Sequence, residues 1–290
     1  MKIVGFEANN KVRLGVVEGD TVIDIQAVDP SIAGDLGDYL RATNGDMTQL
    51  KAAVAKASAS ARIPLAGLKF ALPVAKPGKI ICLGLNYLDH VKEGPQKDNI
   101  PKFQSIFFRM LTSLVPHGTP LMRPVKSIQF DYEGELVVVI GKRAKHLTME
   151  NATDCVAGYS VGNEGSIREY QRHTTQWGMG KNFDRTGSVG PWMVTADEIP
   201  DPAALTLETR LNGQVMQHAP ISDLIFDVPA LIAYVSTFTT LYSGDVIVTG
   251  TTGGVGAFRE PPVWMKPGDV VEVEISRIGT LRNPVIDEPI

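Results

Sequence analysis

Six apolar runs bounded by turn residues, set against a single long helical period, constrain this chain most. Residues 79–84, 136–141, 156–162, 205–211, 245–250 and 270–275 each read as a strand. The helical period spans about 229 to 241, where Val228, Leu231, Ile232, Val235 and Phe238 recur at helical spacing. Pro229 suits its first turn and Gly244 its end. Strands outnumber helices and the two do not alternate, so a doubly wound βαβ arrangement is excluded and a strand-dominated α+β fold is expected. Residues 1–28 read as short strands and 31–60 as one or two helices. Pro64, Pro73 and Pro77 with Gly67 and Gly78 then punctuate the chain. They divide a small β-rich N-terminal domain, residues 1–72, from a larger domain, residues 73–290.

Lys and Arg number 28 against 32 Asp and Glu, a net charge of -4, with no basic stripe, so no nucleic-acid partner is expected. No apolar run reaches the roughly 18 residues that cross a bilayer, so no membrane partner is expected either. The first residues, Met1-Lys2-Ile3-Val4-Gly5-Phe6-Glu7, lack the apolar core of a signal peptide, and a cytoplasmic location is expected. Cys82 and Cys155 are far apart and lie in apolar stretches, which suits buried small hydrophobes rather than a disulfide framework or zinc cluster.

The sharpest local feature is Asp131-Tyr132-Glu133-Gly134-Glu135, which runs straight into an apolar strand. Residues two apart in a strand share a face, so Glu133 and Glu135 project side by side. Two readings are open: the pair holds a hard divalent cation, or both glutamates face water at a sheet edge. The best third carboxylate is Glu164, which follows another apolar strand and is read as opening a short helix. After the strand 79–84, His90 and Glu93 lie at i and i+3. On a helix the carboxylate would orient the imidazole as a base for activating water; the alternative is a surface pair of little worth. The loop 94–102, with Pro95 and Pro101, suits a lid. Lys181 reads either as an oxyanion-stabilising lysine or as an exposed loop residue. The segment 250–256, Gly-Thr-Thr-Gly-Gly-Val-Gly, either offers backbone amides to an anion or is a tight turn. Arg109 and Arg168 could each grip a carboxylate or sit at the surface.

Taken in order, Asn86–Glu93, Asp131–Leu136, 158–171, Gly180–Asp184, 199–202, 211–213 and 244–251 resemble the fumarylacetoacetate hydrolase family along essentially the whole chain. The resemblance implies a β-roll as the catalytic domain, often dimeric, with Mg²⁺ or Mn²⁺ held by Glu133, Glu135 and Glu164. It implies His90 and Glu93 as the water-activating pair and Lys181 as the active-site lysine. Arg109, Arg168, Gln171 and Thr251 fall on positions facing the substrate. The implied reaction is C–C hydrolysis of a 2,4-dioxo or acylpyruvate-type acid through an enolate that the metal stabilises. Decarboxylation or keto–enol isomerisation of an oxo acid at the same centre is the alternative, and a non-catalytic binding protein with an altered site is a third. The chain departs from the family pattern where Glu164 replaces the usual aspartate, at Arg109, where acylpyruvase-like members often carry lysine, at Thr252, which replaces a proline, and in Phe258-Arg259-Glu260-Pro261-Pro262 after the glycine loop, which has no place in the pattern.

Overall fold

A computed structural model describes all residues of the chain except Ala33, Gln96, Asp98 and Ile290. Gln96 and Asp98 belong to the expected lid, so that part of the expectation lies outside the described residues. Among the described residues the strands form a twelve-stranded sheet, a five-stranded sheet and a two-stranded ribbon. The architecture is a strand-dominated α+β fold.

The large sheet is built around Gly134–Ile140, which pairs antiparallel with Val156–Asn163 on one side and with Val246–Val248 on the other. Ile80–Gly84 runs parallel to Val246–Val248, and Ser105–Phe108 closes that edge. Every residue of Gly134–Ile140 is buried, as expected of a strand covered on both faces. Its side chains alternate accordingly. Leu136, Val138 and Ile140 enter a core shared with the five-stranded sheet and the helix Val228–Phe238. Val137 and Val139 face a second core, shared with Leu36, Tyr39, Leu40 and Leu50 of the helices Leu36–Thr43 and Thr48–Ala55. The N-terminal strands Lys2–Ala8, Lys11–Glu18 and Thr21–Asp24 form a meander. It joins the large sheet where Lys2 and Ile3 pair with Val194 and Met193.

Two element boundaries differ from those expected. The long helix is capped by Asp227, whose carboxylate accepts from Ala230 N at 2.9 Å. It stops at Phe238 instead of continuing to 241. Leu241 is drawn into a bridge with Ala144, exchanging both backbone hydrogen bonds at 2.9 and 3.0 Å, and the chain leaves the helix to reach it. Glu164 does not open a helix. It lies between Val156–Asn163 and the two-residue strand Ser166–Ile167, and the helical turn begins only at Arg168.

Candidate metal centre

Sheet register brings the three glutamates together. Gly134 pairs with Asn163 and Glu135 with Gly162. The ends of the two strands therefore lie opposite each other, and the contact extends past them: Glu164 N donates to the Glu133 carbonyl at 2.8 Å. Glu133 N in turn donates to Asn163 Oδ1 at 3.0 Å. Each glutamate offers one carboxylate oxygen, and these oxygens lie within 4.8 Å of one another. Gly165 is needed for this approach, since a Cβ there would meet the Thr186 carbonyl at 1.9 Å. Any side chain at 165 would push the Glu164 backbone off the strand end.

All three carboxylates are buried, so their charges must be met locally. Lys181 Nζ lies 2.6 Å from Glu133 Oε2 and 3.0 Å from Glu164 Oε2. Lys181 is buried at the end of the helical turn Gly178–Lys181, not exposed in a loop. Burial works against its ammonium, but Glu133 and then Glu164 outweigh burial and raise its pKa. Arg168 Nη2 approaches Glu133 Oε1 to 2.6 Å and its Nε donates to Asp131 Oδ2 at 2.8 Å. Burial would raise Glu133, yet Arg168 and Lys181 prevail and bring its carboxyl down to about 2. Glu135 differs. Burial, then the charges of Glu164 and Glu133, push its carboxyl well above the usual range. Its Oε2 accepts from Gly250 N. Glu164 Oε1 is buried with no hydrogen-bond donor, and its cationic neighbour, Arg109 Nη1, is 3.9 Å away.

These features fit a hard divalent cation. The donor set is entirely carboxylate oxygen, the choice of Mg²⁺ and Mn²⁺. One buried oxygen lacks a donor, and one carboxyl has its pKa pushed up by burial and by the other two. Each of these strains is relieved by a cation among the three side chains.

The glycine loop does take anions, and they are the protein's own carboxylates. Gly250 N–H donates to Glu135, Gly254 N–H to Glu93 Oε2 at 2.7 Å, and Gly256 and Ala257 N–H to Asp131 at 2.7 and 2.9 Å. Thr251 is buried, its hydroxyl donating to the Gly134 carbonyl at 2.9 Å. Glu93 is thereby fixed at one oxygen, and its other oxygen lies 2.7 Å from His90 Nδ1 on the helix Leu88–Glu93. The i, i+3 pairing read from the sequence is present, with the histidine buried rather than at the surface.

A two-chambered cleft opens over the centre. The inner chamber is lined by Glu133, Glu135, Lys181, Thr251 and Phe107. Leu85, His90, Gln171 and Trp177 line both chambers. The outer chamber, about 300 Å³, adds Arg168, Arg172 and Phe258, with Gly94 and Pro95 from the loop expected to be a lid. Arg109 lines neither chamber. It lies behind the centre, with Nε on Ser113 Oγ at 3.0 Å, Nη2 on Thr186 Oγ1 at 3.0 Å and Nη1 on the Gly165 carbonyl at 3.3 Å. The structure thus places Arg109 as a brace on the Glu164 segment, away from where a substrate would sit. Sequence reasoning passed over Trp177 and Arg172 and gave Phe258, in the stretch after the glycine loop, no role. Trp177 and Phe258 come from segments with no helical or strand period to mark a face, and their meeting is a tertiary event; Arg172, one residue past Gln171, had a local signal in its adjacency to the Arg168–Gln171 turn.

The model of the fumarylacetoacetate hydrolase C-terminal domain matches residues 79–286. The oxaloacetate tautomerase FAHD2A of Homo sapiens, named as mitochondrial, is 39% identical over 99% of this chain and 92% of its own length. The corresponding protein of Xenopus laevis is 37% identical over 99% of this chain and 90% of its own. Among solved structures, the fumarylacetoacetate hydrolase of Exiguobacterium antarcticum superposes with a TM-score of 0.85 at 33% identity, covering 99% of this chain and 100% of that one. The maleylpyruvate hydrolase of Sphingobium, solved with manganese(II) and pyruvate, gives 0.81 at 30% identity over the whole of both chains. Similar proteins are thus named as tautomerases and hydrolases, and one binds the kind of ion that the three buried glutamates suit. With a strand-dominated fold matched end to end and the family's domain covering most of its length, the chain belongs to the fumarylacetoacetate hydrolase family.

Proposed function

We propose that the protein is a divalent-metal-dependent enzyme that interconverts the enol and keto forms of a short dicarboxylic 2-oxo acid of the oxaloacetate type. One observation carries the reading: His90, oriented by Glu93, lines both chambers of a cleft whose inner chamber is walled by Glu133 and Glu135 of the glutamate triad. A base for carbon acids and a site for the oxygen that gains charge thus share one space. Full-length similarity to oxaloacetate tautomerases supports the choice of substrate.

Glu133, Glu135 and Glu164 would hold Mg²⁺ or Mn²⁺. When bound, the cation supplies a Lewis acid that makes charge on the substrate's 2-oxygen less costly. The chain's own groups do the rest. Glu93, pinned by Gly254, holds His90 through Nδ1 and fixes its tautomer. Nε2, with no protein partner among the described residues, takes the proton from C3 of the keto form or returns it to the enol. Lys181 lies on two of the three glutamates and adds positive charge beside the 2-oxygen. Arg168 and Gln171, bonded to each other at 3.0 Å, steer the 1-carboxylate.

The test is to add the protein, with Mg²⁺ or Mn²⁺, to enol oxaloacetate and follow the enol absorbance together with pyruvate and CO₂. Faster loss of enol without pyruvate release is expected. Pyruvate with CO₂ would replace tautomerisation by decarboxylation, and no effect on either would reject the reading. A second reading is C–C hydrolysis of a 2,4-dioxo or acylpyruvate-type acid by water activated at His90. Similarity to the maleylpyruvate hydrolase favours it, and so does the room beside His90 in the outer chamber. Pyruvate release from an acylpyruvate at a higher rate than enol loss would select it. A homodimer belongs to the same proposal, to be checked by sedimentation against a chain mass of 31.4 kDa. Cytoplasmic residence also belongs to it, in keeping with the free buried thiols Cys82 and Cys155.

A further inference from the structure

The cations of the inner site are already engaged. Lys181 lies on Glu133 and Glu164, and Arg168 on Asp131, Glu133 and Gln171. Arg172 is different. It lines the outer chamber, is exposed to solvent, and its guanidinium has no ion pair or hydrogen bond among the described residues. It rests over the Phe258 ring, 5.8 Å from the ring centre. Arg168 lines the same chamber, and among the described residues no carboxylate does. Arg168 is spent on Asp131 and Glu133, so Arg172 is the guanidinium of this concave site left to meet an anion. The outer chamber is also much the wider, about 300 Å³ against about 50 Å³ for the inner. An oxo acid whose first two carbons sit at the glutamates and Lys181 must therefore extend past His90 and Gln171 towards Arg172.

We infer that Arg172 determines specificity by binding the distal carboxylate of a dicarboxylic 2-oxo acid, with Phe258 holding its guanidinium plane at the chamber wall. The inference rests on the oxo-acid reading above and adds the group that tells a dicarboxylic from a monocarboxylic substrate. Arg172 binds the C4 carboxylate, whose formal charge is the same before and after the proton leaves C3, so its contribution falls on binding more than on the proton-transfer step.

Oxaloacetate and 2-oxobutanoate make the test, because they share four carbons and the 2-oxo acid end and differ only in the distal group. Binding of each to the Mg²⁺-loaded protein is measured by calorimetry, and oxaloacetate enol turnover is followed in parallel. Arg172→Gln, a change at an exposed position, should weaken oxaloacetate binding and raise its KM about ten- to hundredfold, the worth of one charge-assisted contact. It should leave kcat and the affinity for 2-oxobutanoate within about twofold, and Arg172→Lys should recover part of the loss. Equal weakening of both acids, or unchanged oxaloacetate binding, overturns the assignment. So does a wild-type protein that binds both acids equally well, although the oxo-acid reading would survive that result. A wild-type protein that binds neither acid overturns both.

Discussion

Glu135 carries the chemical tension of the centre. Its carboxyl is pushed well up by burial and by Glu164 and Glu133, whereas Glu133, two residues away, is brought down to about 2 by Arg168 and Lys181. The sign of the consequence is fixed. Without a cation the folded protein holds a proton on Glu135 that the unfolded chain releases above the ordinary glutamate value of 4.5. Stability of the metal-free protein therefore falls as pH rises from there towards the raised value. Cation binding requires the ionised form, so Mg²⁺ affinity should rise with pH, and each binding event should release a proton. Calorimetric titrations in buffers of different ionisation enthalpy would show that proton, and Glu135→Gln should abolish the Mg²⁺ signal. An unchanged titration in that variant would remove Glu135 from the ligand set. His90 gives the complementary case. His90→Asn should keep Mg²⁺ binding while enol turnover drops by about 100-fold or more, the usual scale for a general base. Turnover within a few-fold of wild type would show that proton transfer does not pass through this imidazole.

Elements matter here through their junctions. Asn86, fully buried, ties the strand Ile80–Gly84 to two distant segments. Its side chain donates to the Thr249 and Phe226 carbonyls at 2.8 and 3.0 Å and accepts from Phe226 N at 2.8 Å. Its own carbonyl accepts from Ile225 N at 2.7 Å. The helix bearing His90 begins two residues later, so the same knot sets where the base enters the cleft. Asn86→Ala leaves several backbone groups without partners and should cost about 2–4 kcal/mol in urea unfolding, with loss of turnover even at temperatures where the variant stays folded. A cost below about 0.5 kcal/mol would mean that water replaces the amide. This scale also shows what was legible in the sequence. The buried strands were, because continuous apolar runs between turn residues have few other uses. So was the His90–Glu93 pair, because i and i+3 on a helix fixes a contact without reference to the rest of the fold. Glu164 was misplaced at a helix start because the two-residue strand Ser166–Ile167 has no local signature; it exists only through pairing with Phe130–Asp131. Lys181, among small and polar neighbours, looked exposed. Its burial comes from two short helical turns packed so closely that a Cβ on Gly180 would meet Gln171 N at 2.4 Å. Arg109 carried no local sign that all three of its guanidinium nitrogens would be hydrogen-bonded inside the protein.

At the scale of the molecule, a sheet buried on both faces has to be covered twice, and the chain uses its two ends for this. The five-stranded sheet, largely from residues after 200, covers the side of Leu136, Val138 and Ile140. The N-terminal meander and its helices cover the side of Val137 and Val139, where Ile80, Cys82, Val246 and Val248 also lie. Glu135 shares the strand parity of Val137 and Val139, so the Glu135 carboxylate and the apolar patch under the N-terminal helices lie on the same face of one strand. The division at 72 and 73 thus separates two stretches of chain that share a core, and the test of it is a fragment. Residues 73–290 alone would expose the apolar face that Ile3, Leu14, Leu36, Tyr39 and Leu40 now bury. Each large side chain stripped from such a contact is worth about 1.5–3 kcal/mol, so the loss over these five is comparable to the 5–15 kcal/mol by which domains are ordinarily stable. The fragment should therefore show strand signal in the far ultraviolet but no near-ultraviolet spectrum, bind hydrophobic dyes and fail to titrate with Mg²⁺. Cooperative unfolding with a native near-ultraviolet spectrum would instead make the second stretch an independent domain and the N-terminal one an addition to it. Supplying residues 1–72 in trans separates these outcomes further: recovery of Mg²⁺ binding on mixing requires that the two pieces complete one core, with the metal centre formed only when Glu135's strand is packed on both sides.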